Sequence, residues 1–354
     1  MFEMSIIKNS QNKPHEFSVF LTIGIPTYNR AEKLKRLLRQ FSLLNSYLDV
    51  KKWNIEILVS DNCSSDSTLS VVAEAYDELV SSGYLVSSYR QGKNLGLDGN
   101  SLFVINNAKG KYLWFFSDDD ILIPANISSL FEDIKQIEPG VCLSNFIQPP
   151  YTEDNTIFLS KESEEAKILT NPVESIRALK KYAKLTNYVI ARSFFLDSNY
   201  SEKINEIVER CSGQYYLFLA FSVLAYFSSG KVLIRKASIA KCDDDYLCLE
   251  YSPRVFENLN AVLKETLIAL EKDQYVKVVT RKERFYLRLR NSMKFLLLHY
   301  QGKITLSDKV LSDEEAFIKN SPLWVLIHPL CIVLYIKLHL IWVLNKKKNK
   351  RNNY

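Results

Sequence analysis

Tyr112-Leu113-Trp114-Phe115-Phe116-Ser117-Asp118-Asp119-Asp120 decides the fold. The five apolar residues are too few for a helix and are rich in aromatics, so they read as a buried strand. The strand runs directly into four polar residues, three of them acids. Upstream, residues 94–100 (Asn94-Leu95-Gly96-Leu97-Asp98-Gly99-Asn100) form a Gly/Asn loop that opens a helix. Residues 84–89 read as a strand before that loop. Residues 55–60 read as another, ending in the turn Asp61-Asn62-Cys63-Ser64-Ser65-Asp66-Ser67-Thr68, and a helix follows to about Leu79. The first strand covers residues 19–26 and is stopped by Pro26. After it, Leu34, Leu37, Leu38, Phe41 and Leu44 recur at helical spacing over residues 31–48.

Strands alternating with helices predict an α/β fold, with a mostly parallel central sheet flanked by helices. Ligands of such sheets bind beyond the carboxyl ends of the strands. Three polar clusters stand there: Thr27-Tyr28-Asn29-Arg30, Asp61-Asn62, and Ser117 to Asp120. Their convergence predicts one site. Residues 140–250 show no single period. Residues 255–300 read as mostly helical and rich in Arg and Lys.

The chain has 354 residues, enough for one large α/β domain with an accessory region or for two small domains. Apolar residues make up 47%, which excludes global disorder. Lys346, Lys347, Lys348, Lys350 and Arg351 carry most of the net charge of +6, so the body is close to neutral. That balance argues against a nucleic-acid partner. None of the six cysteines forms a C-x-x-C pair, which fits a reducing compartment and no zinc site. Residues 1–18 are polar, read as a flexible N-terminus and lack the apolar core of a signal peptide, so the body is expected in the cytoplasm.

Residues 20–125 resemble glycosyltransferase family 2, whose members adopt the GT-A (Rossmann-like) fold. The resemblance is carried by Ile25-Pro26-Thr27-Tyr28-Asn29-Arg30, by Val59-Ser60-Asp61-Asn62-Cys63-Ser64-Ser65-Asp66-Ser67-Thr68, by Asn94-Leu95-Gly96 with Gly99-Asn100, and by Gly110-Lys111-Tyr112 through Pro124. Four motifs in this order and spacing are more specific than any one of them. Trp114-Phe115-Phe116-Ser117-Asp118-Asp119-Asp120 is similar to bacterial O-antigen and capsule enzymes of the abequosyltransferase type. The resemblance implies a GT-A domain over 19–250, with a nucleotide-sugar half at 19–125 and an acceptor half at 126–250. Beyond it come a helical region, 251–321, and an apolar membrane-associating segment with a basic tail, 322–354.

The implied activity is transfer of a sugar from a nucleotide-sugar donor to a glycan acceptor, by inversion in this family's usual course, the acceptor being carried on a polyprenyl diphosphate. The leaving group gains negative charge as the glycosidic bond breaks, and Mg²⁺ or Mn²⁺ neutralises such charge through oxygen ligands. The family's Asp-x-Asp pattern places Ser117 where the first Asp usually stands. Asp119 is then the expected metal ligand, with Asp118 on metal or ribose and Asp120 beside it in the catalytic cluster. A register using Asp118 and Asp120 is the second reading. By the same resemblance Pro26, Thr27 and Tyr28 lie along the nucleotide, and Asp61 pairs with the base. Arg30 reaches phosphate or orients Asp61, and Asn94 and Gly96 form a loop on the donor. The family's acid pair for deprotonating the acceptor has no counterpart at Arg210-Cys211-Ser212-Gly213-Gln214-Tyr215-Tyr216. Glu209 and Asp244 are the nearby candidates, although Asp243-Asp244-Asp245 also reads as an acidic surface loop.

Residues 322–344 approach the roughly 20 apolar residues of a spanning helix, but Pro329, Lys337 and His339 interrupt them. A single span would separate the basic tail from a cytoplasmic body, against the positive-inside tendency. An in-plane or re-entrant segment, with the tail on anionic lipid of the inner leaflet, avoids that conflict. A buried helix is the alternative. Two other functions compete: a non-catalytic nucleotide-sugar-binding or scaffold subunit of a glycan-assembly complex, and a sugar nucleotidylyltransferase. The latter expects a Gly-rich loop where Pro26-Thr27-Tyr28-Asn29 stands.

Overall fold

A computed structural model describes residues 17, 19–147, 166–181, 184–211, 213, 216–243 and 255–280, with 293, 296, 297, 300, 315 and 318. The expectations for residues 1–16, for Asp244 and Asp245, for the basic stretch 281–292 and for residues 322–354 fall outside these described residues. The chain forms two compact units, Met1–Asp243 with Ala261–Val279, and Asp244–Asn260 with Thr280–Tyr354. Within the second, the Tyr300 hydroxyl donates to Glu315, and Met293, Leu296 and Ile318 are buried.

The strands are β1 (Val19–Thr27), β2 (Ile55–Asp61), β3 (Leu85–Arg90), β4 (Gly110–Phe115), β5 (Asp120–Leu122), β6 (Val141–Ile147), β7 (Ala166–Leu169), β8 (Tyr188–Ala191) and β9 (Val232–Cys242). The helices are α1 (Ala31–Ser42), α2 (Val50–Trp53), α3 (Thr68–Ser81), α4 (Gly96–Asn107), α5 (Ile127–Ile137), α6 (Pro172–Lys181), α7 (Ser198–Ser201), α8 (Ile204–Cys211), α9 (Leu217–Ser229), α10 (Val255–Ala269) and α11 (Asp273–Thr280). A 3-10 turn over Leu185–Asn187 precedes β8.

The strands form one sheet in the order β3-β2-β1-β4-β8-β6-β9-β5, with β7 also on β9. The expected parallel arrangement holds for β3, β2, β1 and β4. Beyond β4 the sheet is mixed. β8 runs antiparallel to both β4 and β6, β9 is parallel to β6, and β5 and β7 are antiparallel to β9. This is an α/β sheet, parallel on the side of the three polar clusters and mixed beyond it.

Local sequence explains the parallel half. β2 is buried along its whole length and β1 nearly so, which a parallel strand covered on both faces requires. α1 buries Leu34, Leu37, Leu38 and Phe41 and turns its charges outward. Gly24 lets α4 lie close on β1: a Cβ there would come 2.4 Å from Cγ1 of Val104 and 2.9 Å from Cδ1 of Leu113. α9 is buried on all sides from Leu217 to Tyr226, so it has no polar stripe to reveal its period.

One charged residue lies inside the β2 run. Glu56 is fully buried, and its oxygens accept from Thr22 Oγ1 (2.7 Å), Ser87 Oγ (2.8 Å) and the Lys109 backbone N–H (2.9 Å). Lys109 Nζ lies 3.1 Å from Oε1. With its acceptors satisfied, Glu56 is a structural tie between strands. Cys63, Cys142, Cys211 and Cys242 are free thiols.

Candidate active site

Strand register brings the three clusters level. Thr27 is opposite Asp61 across β1 and β2, and Asp61 is opposite Arg90 across β2 and β3. The Phe116 N–H donates to the Gly24 carbonyl (2.9 Å), so the acid turn leaves β4 beside the end of β1. The loop after β1 is locked to the loop after β2. Asn29 sits at φ 51°, a conformation Asn tolerates. Its N–H donates to Ser64 Oγ, and its Oδ1 accepts from the Ser65 N–H, both at 2.8 Å. Asp66 accepts from the N–H groups of Ala31 (3.1 Å) and Thr68 (3.0 Å), tying together the starts of α1 and α3.

The three acids face different ways. The Asp118 side chain is 4% exposed and its oxygens are engaged by Thr27 Oγ1 (2.7 Å) and Arg30 Nη1 (2.7 Å). The Asp120 side chain is 2% exposed, with Lys184 Nζ 3.0 Å from Oδ1 and the Thr186 hydroxyl donating to Oδ2. Asp119 is 34% exposed and is the outward carboxylate of the turn. Arg30 Nη1 reaches its Oδ2 at 2.8 Å, and Ser117 Oγ donates to its Oδ1 at 2.5 Å.

Burial raises the pKa of Asp118, and Arg30 opposes the rise. Burial likewise pushes Asp120 up to about 6 against the pull of Lys184. Asp119 goes the other way: burial would raise it, but Arg30 and the Ser117 hydroxyl hold it below the ordinary carboxylate value. The outward acid is therefore charged at neutral pH. Arg30 is itself held above its usual value by Asp118 and Asp119, despite burial.

At the second strand end, Asp61 is buried. Its Oδ1 accepts from the Ser64 N–H (3.0 Å), while Oδ2 has no hydrogen-bond partner and has Arg90 Nε 3.5 Å away. Arg90 Nη2 donates to the Ser64 carbonyl (2.9 Å). Arg30 holds Asp118 and Asp119, and it is Arg90 rather than Arg30 that stands beside Asp61. The third loop joins through Asn62. Its Nδ2 donates to Asn94 Oδ1 (2.9 Å) and the Gly96 carbonyl (3.2 Å), and its Oδ1 accepts from the Leu95 N–H (2.8 Å). Gly96 has φ +71° with open space where a Cβ would be, so a ligand can approach its backbone. Pro26 is buried at the end of β1, and Tyr28 is exposed beyond it.

The expected site residues Pro26, Thr27, Tyr28, Arg30, Asp61, Asn94, Gly96, Asp118, Asp119 and Asp120 thus lie at the carboxyl ends of the parallel strands or in the loops that follow them. Glu209 is exposed on α8 and Asp244 lies outside the described residues. Asp243, read as part of a surface loop, is mostly buried and pairs with Arg36 (2.8 Å). Arg90, Lys184 and Thr186 carry no motif and were not expected. Among the described residues, no cluster of three His, Cys, Asp or Glu forms a closed metal cage. One outward, charged carboxylate does fit a hard cation that keeps most of its coordination for phosphate and water.

Residues 22–172 match the family model for glycosyl transferase family 2. Abequosyltransferase RfbV of Salmonella typhimurium is 36% identical over 114 residues, 32% of this chain and 32% of that protein. The GalNAc(5)-diNAcBac-PP-undecaprenol beta-1,3-glucosyltransferase of Campylobacter jejuni is 34% identical over 113 residues, 32% of this chain and 33% of that protein. The matched stretch thus spans about a third of either curated relative. The crystal structure of Staphylococcus aureus TarS superposes with a TM-score of 0.53 at 17% identity, covering 95% of this chain and 93% of that one. TarS in complex with UDP-GlcNAc gives the same TM-score over 94% and 92%. Residues 22–172, the stretch similar to glycosyl transferase family 2, contain Thr27, Asp61 and Asp119.

Proposed function

We propose that the protein transfers a sugar from a nucleotide-sugar donor to a glycan acceptor borne on a polyprenyl diphosphate, in assembly of a bacterial surface polysaccharide. One observation carries this reading. The outward Asp119 and the buried Asp61, whose Oδ2 has no hydrogen-bond partner, stand at or just beyond the carboxyl ends of the parallel strands. A buried carboxylate oxygen with Arg90 nearby but no hydrogen bond made suits a nucleobase ring N–H, which would supply the missing donor. The Campylobacter relative's name supplies the lipid-linked acceptor.

In this reading Asp61 accepts from the base, Thr27 and Tyr28 border the nucleotide, and the Asn62-Asn94-Gly96 loop lies over it. Asp119, with Asp118 withdrawn behind it, would hold Mg²⁺ or Mn²⁺, which supplies Lewis-acid stabilisation of the departing phosphate. The acceptor oxygen attacks the anomeric carbon and the bond to phosphate breaks. The electron pair leaves with the nucleotide, and the acceptor proton passes to a base or to solvent. A single displacement of this kind inverts the anomeric centre. No helix among the described residues is long and apolar enough to cross a membrane. Attachment to the inner leaflet belongs to the same reading, through residues 322–354, and rests on their apolar and basic composition.

A panel of UDP-, GDP-, CDP- and dTDP-sugars, incubated with Mn²⁺ and a lipid-linked acceptor, tests the proposal. Release of nucleotide coupled to glycan growth, lost with EDTA, is the expected result. Binding of a donor without turnover would favour the non-catalytic subunit instead. That second reading has one observation in its favour: Glu209, the acid that directly precedes residues 210–216 in sequence, is exposed.

A further inference from the structure

The acid turn is fastened from outside the family motifs. The Trp114 Nε1–H donates to the Thr186 carbonyl at 2.8 Å. The Ser117 N–H donates to Thr186 Oγ1 at 3.1 Å, and that hydroxyl in turn donates to Asp120. Thr186 therefore grips the turn at its first and last residues and the strand feeding it. The other Asp120 oxygen is held by Lys184 Nζ, which also lies 3.6 Å from Cys242 Sγ and 4.0 Å from the Phe146 ring centre. Thr186 and Asp120 are both fully or almost fully buried. Asp118 is fixed independently by Thr27 and Arg30. Asp119 is thus the outward residue of a turn clamped on both sides.

We propose that Thr186 is a positioning residue for the donor site: its hydroxyl sets the backbone of Ser117 to Asp120 so that Asp119 is presented to the departing phosphate. This rests on the glycosyltransferase reading for its consequence, but not for its geometry. The hydroxyl does two things at once. It satisfies a backbone N–H that would otherwise be unpaired, and it orients a buried carboxylate. Valine has almost the same shape and can do neither. Serine can do both.

Three full-length variants decide the matter, Thr186→Val, Thr186→Ser and Thr186→Ala, each read by hydrogen–deuterium exchange and by donor turnover. Thr186→Val is expected to speed exchange in the peptide covering residues 117–122 while exchange in β1 and β2 stays as in the wild type. Its kcat should fall by about ten- to a hundredfold, as displacement of a reacting group does, with KM for the donor little changed because the base is bound elsewhere. Thr186→Ser should restore both readouts. Unchanged exchange at 117–122 in Thr186→Val would overturn the proposal, as would failure of Thr186→Ser to restore it. If Thr186→Val does not fold, Thr186→Ala, which removes the same hydroxyl with a smaller side chain, carries the same prediction, and wild-type exchange and kcat there would equally overturn it. If the wild type turns over none of the UDP-, GDP-, CDP- or dTDP-sugars, the proposed function fails, and the exchange measurement still decides the positioning role.

Discussion

Arg30 Nη1 lies 2.8 Å from Oδ2 of Asp119, across 89 residues of sequence. The same nitrogen is 2.7 Å from Asp118. One cation therefore bridges the inward acid and the outward acid: it holds Asp119 below its ordinary value and opposes the rise that burial imposes on Asp118. Replacing it with Met would leave Asp118 buried with Thr27 as its remaining described donor. Losing a hydrogen bond to a charged group costs about 1.5–3 kcal/mol, toward the lower end here because Arg30 is partly exposed. Arg30→Met is expected to lower the melting temperature and abolish turnover together. Arg30→Lys, which keeps the charge but not the fork, should recover stability before activity.

Asp61→Asn separates base recognition from chemistry. Asn keeps the acceptor for the Ser64 N–H but sets an amide N–H where Oδ2 now stands. Two donors would then face each other at the base. With a mismatched buried polar group costing about 1–3 kcal/mol, KM for the donor should rise by about ten- to a hundredfold while kcat stays near wild type. Steady-state kinetics against donor concentration checks the split.

Glu56→Ala addresses the fold alone. It strips four donors of their acceptor, including Lys109. Breaking a buried charged tie of this kind destabilises by about 3–5 kcal/mol. Urea unfolding should register that loss. The kcat of the fraction that remains folded should be unchanged, since Glu56 lies in β2, five positions before Asp61.

Asp66 gives a pH signature. Burial is the largest single effect and opposes its ionisation, but the hydrogen bonds from Thr68 and Ala31 together outweigh it and hold its pKa below the ordinary value. A lowered carboxylate contributes stability that is fully present above the unfolded value and is lost as pH falls through the folded value. Asp66→Ala should therefore be less stable than wild type at pH 7, by about 0.5–2 kcal/mol if it behaves as a helix cap. The gap should close toward pH 2 to 3, as thermal melts across that range would show.

The parallel half of the fold was legible because its determinants are local. Short apolar runs around Ile23, Ile57 and Trp114 end in polar clusters, and those ends are where ligands gather. The other half was not, since β8 finds β4 and β6 through pairings distant in sequence, and α9 is apolar on every face. The same limit applies to the site. Asp119 announced itself as an acid at a strand end, but nothing local marks Thr186 or Lys184, whose role exists only once β8 is laid beside β4. Glu56 was hidden differently: one charge inside an apolar run does not alter the strand reading, and its donors come from three other segments.

Donor turnover by Asp119→Ala, compared with wild type over a titration of Mn²⁺, tests the central claim most directly. Circular dichroism is expected to show an unchanged fold, and kcat is expected to fall by about 10²–10³, the scale of removing one stabiliser of developing charge. Added Mn²⁺ should no longer raise the rate. Wild-type turnover with an unchanged Mn²⁺ response in Asp119→Ala would contradict the assignment of this turn as the place where the leaving phosphate is met.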